Sequence, residues 1–546
     1  MNRQLIRSLA IILLAFGLFV VVAKTTPMRQ WDDQLFLLTQ VRHLILEHFV
    51  EEPDEDAMMR AAAKAMAESL GDPHTTYIPP EDLQQWDEQV TGRFSGIGAT
   101  VEVIDDRPRI VSPLDDSPAY RAGVMAGDVI LEIEGEDTRG MNINDVVNRL
   151  RGERGTEVTI RVRHETGEEA EITIERDDIS VPTVRGLLRG DEQRWKYLFD
   201  DENRIGYIRI SQFTRQTASD LEQVLDDLMG EDPAGLVLDV RFNPGGLLSS
   251  AVDVASLFLD GEKQVVEVRG RRDDIARTYR AREGESMAGV PIVVVANEAS
   301  ASASEILAGA LSDHGRAAIV GTRTFGKGSV QEVIPLQNGL GALKITNAHY
   351  YLPGGRNINR MPDSEVWGVD PDEGNYVPMS SQQVRRMREV RRDLDALRPD
   401  NNQQREAVTP DWIEQELSDP QLAAAHRAIL GRIADGEWPK VGEDGGDLLA
   451  FETRRRNLER QRELLGERLE EIEDQLERIT REEDEDDPEA ANDIDATEDE
   501  QDVEMLIDEL ERLDEQAPPL PDEVDDDGEV DPSGIEQGEE APVEQP

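Results

Sequence analysis

The stretch that decides the fold is Ile292-Val293-Val294-Val295-Ala296, followed directly by Asn297-Glu298-Ala299-Ser300-Ala301-Ser302-Ala303-Ser304-Glu305. The unbroken apolar run predicts a strand buried on both faces, as in a sheet covered by helices. An apolar helical pattern follows the serines, so one of them lies at a helix N-terminus, where free N–H groups can stabilise an oxyanion. Ordinary capping is the alternative, because serine is a favoured N-cap. The pattern does not choose among the three serines.

Two further apolar strands precede this one, at Ile205–Ile210 and Gly235–Val240, and each is followed by a helical pattern. The alternation predicts an α/β region, from about 181 to 372, with crossover helices. The second strand leads into Asp239-Val240-Arg241-Phe242-Asn243-Pro244-Gly245-Gly246. Two glycines let the backbone approach a ligand closely, and their N–H groups could supply the other half of an oxyanion hole. A tight strand-to-helix turn is the alternative.

A lysine among glycines, in Thr324-Phe325-Gly326-Lys327-Gly328-Ser329, is the second chemical candidate. Gly321 to Lys327 fits the first part of a P-loop, but Gly328 stands where the metal-binding Ser or Thr belongs. The following Ser329–Pro335 has the pattern of a strand, whereas a P-loop needs a helix there. Burial instead lowers a lysine pKa from about 10.4, so that the neutral amine can take the proton of a serine.

Composition excludes several classes of protein. The 546 residues suffice for about three domains. With 58 basic and 116 acidic residues the net charge is −58, which disfavours nucleic-acid binding. The absence of cysteine excludes disulfides and thiol chemistry. A Ser–His–Asp triad is disfavoured because His314 has the position of a helix end. No histidine pair in the α/β region has metal-ligand spacing, so we predict no metal and no cofactor.

The N-terminal part has three segments. Arg3 and Arg7 precede the uncharged apolar run 8–23, so residues 1–24 are predicted to be a signal peptide or an uncleaved membrane anchor. Either one places the protein in the periplasm or cell envelope, exported and in the second case anchored in the inner membrane. Residues 25–90 have helical periodicity. Residues 91–178 alternate between apolar and polar side chains, which predicts a compact module of strands with a short helix near Asn144–Leu150.

The C-terminal part is polar. Residues 376–440 have a helical pattern, and 441–480 carry a heptad seam, at Leu458, Leu465, Ile472 and Ile479, that predicts a short coiled coil. A solvated helix is the alternative. Residues 481–546 contain 30 acidic and 2 basic residues. Such a composition cannot bury enough apolar surface to fold, so we predict a disordered tail.

Eight motifs, in this order, resemble the carboxyl-terminal processing peptidases, also called tail-specific proteases. The resemblance covers roughly residues 35–375 and leaves out the coiled coil and the acidic tail. The motifs are Leu70-Gly71-Asp72-Pro73-His74-Thr75-Thr76-Tyr77, Phe94-Ser95-Gly96-Ile97-Gly98, Asp239 to Gly246, Ser300 to Glu305, Thr324 to Gln331, Gly341-Ala342-Leu343-Lys344-Ile345-Thr346, Tyr350-Tyr351 with Gly355-Arg356, and Gly368-Val369-Asp370-Pro371-Asp372.

The resemblance implies both a fold and a catalytic site. The fold would be a crotonase-like α/β peptidase core (179–375) with an inserted PDZ domain (91–178). Ser302 would be the nucleophile, Lys327 the general base, and Gln331 the residue that positions the lysine. The oxyanion hole would use the backbone N–H of Ala303 and that of a glycine, either Gly245 or Gly246.

The resemblance also implies the substrate class. Phe94-Ser95-Gly96-Ile97-Gly98 would form the carboxylate-binding loop of the PDZ domain, which receives a substrate C-terminus as an added strand. We therefore expect a serine endopeptidase that cleaves proteins with exposed C-termini. An adaptor protein remains open as a further partner, and the helical N-terminal region is expected to form a homo-oligomer. The alternative is a membrane-tethered PDZ scaffold with an inactive peptidase domain.

Overall fold

The structure is a computed structural model that describes residues 28–190, 194–271, 276–282, 287–361, 364, 366–396 and 407–445, with positions 462 and 466. The predicted export segment (1–24) and acidic tail (481–546) lie outside these residues, as does nearly all of the predicted coiled coil (441–480). No helix within the described ranges is long and apolar enough to cross a membrane.

Strands and helices alternate along most of the chain. The strands are β1 (Thr76–Ile78), β2 (Arg93–Gly96), β3 (Ala99–Ile104), β4 (Arg107–Pro113), β5 (Val129–Ile133), β6 (Glu136–Asp137), β7 (Glu157–Arg163), β8 (Glu169–Glu175), β9 (Asp177–Ser180), β10 (Val184–Arg185), β11 (Leu188–Arg189), β12 (Trp195–Lys196), β13 (Leu198–Asp200), β14 (Ile205–Ile210), β15 (Gly235–Asp239), β16 (Gln264–Gly270), β17 (Arg277–Arg280), β18 (Ile292–Ala296), β19 (Ala317–Gly321), β20 (Ser329–Pro335) and β21 (Ala342–Tyr351). The helices are α1 (Met28–His48), α2 (Glu55–Glu68), α3 (Leu83–Thr91), α4 (Pro118–Arg121), α5 (Ile143–Leu150), α6 (Thr217–Gly230), α7 (Leu248–Ser256), α8 (Ala303–Asp313), α9 (Ser381–Asp395), α10 (Pro410–Glu416) and α11 (Pro420–Asp435).

The chain divides into two compact units. The first contains the residues up to Gln89 together with Val330–Ala348, so part of the predicted peptidase core groups with the N-terminal helices. Within this unit β1 pairs antiparallel with β21, where Thr76 lies opposite Lys344. Helix α1 exposes large apolar side chains, at Leu35, Phe36, Leu37, Leu38, Val41, Leu44 and Ile45.

The second unit, Val90–Ser329 and the residues from His349 onward, begins with a module of antiparallel strands. Its sheet has the order β3-β4-β5-β7-β8, and the strands follow the alternation in the sequence because one face is buried. Ile110, Ile130 and Ile160 form the core of the module with Val146 of α5. Outside this sheet, β2 pairs with β9, with Phe94 opposite Ile179.

A largely parallel sheet forms the centre of the second unit, in the order β10-β14-β15-β18-β19. Strands β14, β15, β18 and β19 run parallel, and all their residues are buried, as their apolar runs predict. Helices α6, α7 and α8 follow three of the strands. Because parallel strands end at one edge, the loops after β15 and β18 lie side by side, which positions the candidate site.

The C-terminal helices differ from the expectation of a polar region. Helix α11 buries Leu422 and Ile429 completely against the apolar face of the central sheet. The expectation was wrong for this helix. The side that meets the sheet is mostly alanine, at Ala423, Ala424, Ala425 and Ala428. Alanine is so small that these residues hardly change the average polarity of the sequence, so the pattern did not reveal the buried side. Helix α11 therefore completes the core instead of lying beyond it.

Candidate active site

The loop after β18 places Ser302 at the N-terminus of α8. Ser302 is the N-cap residue, with φ 55° and ψ −111°. A non-glycine residue at positive φ costs about 1–3 kcal/mol, and such strain clusters at functional sites. Ala303 begins the helix and is buried. Its N–H is therefore one of the first-turn donors that have no carbonyl partner within the helix.

The structure distinguishes the three serines by what their hydroxyls contact. The Ser300 hydroxyl donates to the Val240 carbonyl at 2.9 Å, and the Ser304 hydroxyl donates to the Asn243 carbonyl at 3.0 Å. Both serines are fully buried and tie the loop after β15 to the loop after β18. The Ser302 hydroxyl instead lies near the hydroxyl of Tyr350, whose pKa burial raises to about 12.

The buried carboxylate of Glu305 connects the segments that carry Ser302 and Lys327. Its Oε2 atom accepts from the Ser302 N–H at 2.7 Å and from the Lys327 N–H at 2.9 Å. Its Oε1 atom accepts from the Thr324 hydroxyl at 2.6 Å and from the Gly326 N–H at 2.7 Å. Four donors converge on one carboxylate, so the backbone positions of the two segments are fixed relative to each other.

Burial raises the pKa of Glu305 to about 6, although the four donors favour the ionised form. The side chain is completely inaccessible to solvent. Sequence reasoning assigned Glu305 no role. The signal that could have found it is the spacing Ser302–x–x–Glu305, which is the spacing of a capping box.

The two candidate oxyanion glycines have different surroundings. A Cβ atom on Gly245 (φ +101°) would lie 2.8 Å from the Ser302 Cβ and 3.0 Å from the Ala303 N, so Gly245 borders Ser302. A Cβ atom on Gly246 would lie 2.1 Å from the Phe213 carbonyl oxygen. The N–H of Gly245 donates to the Asn243 side chain at 2.9 Å. Of the two glycines, Gly245 is the one whose Cβ position lies beside Ser302 and Ala303.

The segment around Lys327 does not form a P-loop, because strand β20 follows it directly. Lys327 is half-buried. Gln331, on the same strand, belongs to the first unit, where its amide donates to the Thr346 hydroxyl at 3.2 Å. His314 ends α8 at the end opposite Ser302 and contacts the Gln264 carbonyl at 2.7 Å, which agrees with the structural role expected for it.

The predicted carboxylate-binding loop lies in the strand module. Its first three residues belong to β2, and the carbonyl of Ile97 accepts from the Ala119 N–H at 2.8 Å. Gly98 has φ +73°, and a Cβ there would lie 2.5 Å from the Ser117 side chain. The Arg151 guanidinium lies 5.1 Å from the Phe94 ring centroid.

Within the described residues, no group of three or more metal-ligating side chains is placed to hold an ion.

Comparisons with known proteins show the family of the chain. The chain matches the model of peptidase family S41 over residues 204–374 and the PDZ domain model over residues 109–164. A carboxy-terminal-processing protease of Bartonella bacilliformis is 37% identical over 379 residues, which are 68% of this chain and 82% of that protein. A carboxy-terminal processing protease of Bacillus subtilis, CtpA, is 33% identical over 60% of this chain and 67% of its own. A relative from Picosynechococcus is 36% identical over 60% and 76%.

Fold, site and relatives together define a serine-type peptidase with a PDZ module. The chain belongs to the family of carboxy-terminal-processing proteases. The resemblance read from the motifs is confirmed, and the alternative of an inactive scaffold is not favoured.

Proposed function

We propose that Ser302 is the nucleophile of this peptidase and that Lys327 is its general base. The observation that carries the proposal is the Glu305 carboxylate, which accepts from the backbone N–H of both residues. The hydroxyls of Ser300 and Ser304 donate to backbone carbonyls and hold the loops, which leaves Ser302 as the serine for chemistry.

The chemistry follows from these roles. The neutral Lys327 amine takes the Ser302 hydroxyl proton as Oγ bonds to the scissile carbonyl carbon. The carbonyl oxygen becomes an oxyanion, stabilised by the N–H group of Ala303 and by that of Gly245 or Gly246. The lysine then gives its proton to the departing amine, and water hydrolyses the acyl-enzyme by the same route. We assign Gln331, four residues further along the chain in strand β20, as the residue that positions the lysine.

The substrate is a protein with an exposed C-terminus, as the names of the relatives suggest. Its terminal carboxylate binds the backbone N–H groups of the loop Phe94–Gly98, and its last residues add as a strand. An adaptor protein that delivers substrate is compatible with this arrangement.

The core is crotonase-like, and the protein acts in the cell envelope, to which its N-terminal segment directs or anchors it. Two copies associate through α1, whose exposed apolar side chains would otherwise face water.

The test is cleavage of a substrate with a C-terminal tag, compared among the full-length protein, Ser302→Ala and Lys327→Ala. Both substitutions should abolish cleavage while the tagged substrate still binds through the PDZ module. A serine-directed covalent probe should label the parent protein and not Ser302→Ala. Ser219→Ala, at an exposed serine of α6, is the matched control. Full turnover in either catalytic variant would refute the assignment.

A further inference from the structure

A cavity rich in arginine lies between the PDZ module and the peptidase core, within the second unit. Its volume is about 360 Å³. The module contributes the stretch from Val111 to Asp115 to its wall, and α9 contributes another wall. Seven arginines line it, namely Arg185, Arg189, Arg209, Arg241, Arg388, Arg391 and Arg392.

The carboxylates around this cavity do not balance its guanidinium groups. Asp115 and Asp395 belong to the lining and contact Arg189 and Arg209, among others. The other paired arginines contact carboxylates that do not line the cavity. Arg241 and Arg391 each contact Asp239 and Asp419, and Arg392 contacts Glu102. Among the ion pairs given for the described residues, seven arginines face five carboxylates, an excess of two positive charges.

Two guanidinium groups show where the excess lies. The Arg209 side chain is only 9% exposed, and its Nε atom has no hydrogen-bond partner among the described residues. Arg388 is exposed on α9, stacks over the Phe242 ring at 5.2 Å, and forms no ion pair within the described part of the chain. Burial and the nearby charge of Arg209 lower the pKa of Arg185. A buried donor without a partner is costly, so the cavity is built for an anion.

We propose that carboxylate side chains of this chain's own acidic tail, residues 481–546, occupy the cavity. The tail carries 30 acidic and 2 basic residues, and a guanidinium fork matches the geometry of a carboxylate. A tethered segment of opposite charge reaches an effective concentration on the order of millimolar, so weak individual contacts suffice.

The covalent connection is long enough. Glu443 exchanges backbone hydrogen bonds with Tyr376, which stands five residues before the start of α9. The length of the residues between Tyr376 and Arg388, extended up to the start of α9 and helical after it, places Arg388 at most about 30 Å from Tyr376. Residues 446–480 would span on the order of 30 Å even as a random coil. The first tail carboxylates can therefore reach the cavity mouth at Arg388.

The test uses the full-length chain and a zero-length carbodiimide cross-linker, which joins a lysine amine to a contacting carboxylate. Arg388→Lys presents an amine at the cavity mouth, and Arg386→Lys is the matched control, because Arg386 is exposed on the same helix outside the lining. We expect peptides that join position 388 to residues 481–546, at least fivefold more abundant than those at position 386. The Lys440–Glu373 pair, at 2.9 Å, is the internal control for folding and reagent.

Two further measurements test whether the contact is electrostatic and whether it forms within one chain. Raising the ionic strength should suppress the tail cross-link at position 388, since the contact is electrostatic. A mixture of isotopically light and heavy chains should give cross-links within single chains. Equal cross-linking of both variants, absence of the tail from the position-388 products, or products found only between chains would overturn the proposal.

Discussion

The Glu305 carboxylate and the Lys327 N–H lie 2.9 Å apart, and the same oxygen atom accepts from the Ser302 N–H at 2.7 Å. A single buried atom therefore sets the spacing between the backbone of Ser302 and that of Lys327. Proton transfer requires these groups to be held within a fraction of an ångström. Glu305 is completely buried and acts through the backbone that it holds, so it is a positioning residue.

Glu305→Gln should lower kcat by about 10–100-fold, because an amide presents one acceptor oxygen where the structure uses two. KM for a tagged substrate should change little, since the PDZ module is untouched. Steady-state kinetics would measure both values. Glu298→Gln is the matched control, because Glu298 is exposed on the same loop and bonds only the Thr322 hydroxyl among the described residues. A kcat equal to that of this control would show that Glu305 does not position the pair.

The pH dependence of stability should also report Glu305. Burial raises the pKa of Glu305 in the folded chain to about 6, from 4.5. The folded state thus holds this proton more tightly than the unfolded state does. The resulting stabilisation, about 2 kcal/mol, is complete below pH 4.5 and is lost as the pH rises through 6.

Denaturant unfolding between pH 4.5 and 6.5 would measure this contribution. The parent protein and Glu298→Gln should show the same slope of unfolding free energy against pH, and Glu305→Gln should show a flatter one. Parallel curves for all three proteins would contradict the shift. Activity should move in the opposite direction, since the four donors around Glu305 require the ionised carboxylate.

Much of this site could be predicted from local sequence, because strand-to-helix junctions in a parallel sheet converge on one edge. The apolar runs before Asp239 and Asn297 located that edge. The choice among the serines could not be made in the same way, because the partners of Ser300 and Ser304 lie about 60 residues away in the chain. The burial of α11 was missed because its contact side is mostly alanine.

Tyr350→Phe should lower the rate of acylation about 3–10-fold, because it removes the hydroxyl that lies near the Ser302 hydroxyl. The ring remains, so the buried packing is kept and the protein should fold. Single-turnover labelling by a serine-directed probe would measure the effect. Tyr351→Phe is the control, since that ring stacks with Arg269 at 4.2 Å and needs no hydroxyl for the contact. Equal labelling rates for both variants would exclude a contribution from the Tyr350 hydroxyl.

Gly245→Ala should lower activity on the order of a hundredfold and also lower stability. The added Cβ would lie 2.7 Å from the Ala301 carbonyl oxygen and 2.8 Å from the Ser302 Cβ, at a residue with φ +101°. Backbone atoms cannot move aside as a flexible side chain can, so the Ser302 loop must shift, and about 1 Å of misplacement costs on the order of a hundredfold in rate.

Gly123→Ala is the matched control, because Gly123 has φ +88° and no atom within 4 Å of the new Cβ. Both variants carry the backbone strain of a positive φ, about 1–2 kcal/mol, and only Gly245→Ala adds the clash. Thermal unfolding and tagged-substrate cleavage would separate the two effects. Cleavage by Gly245→Ala at the rate of Gly123→Ala would show that Gly245 does not border the reacting serine.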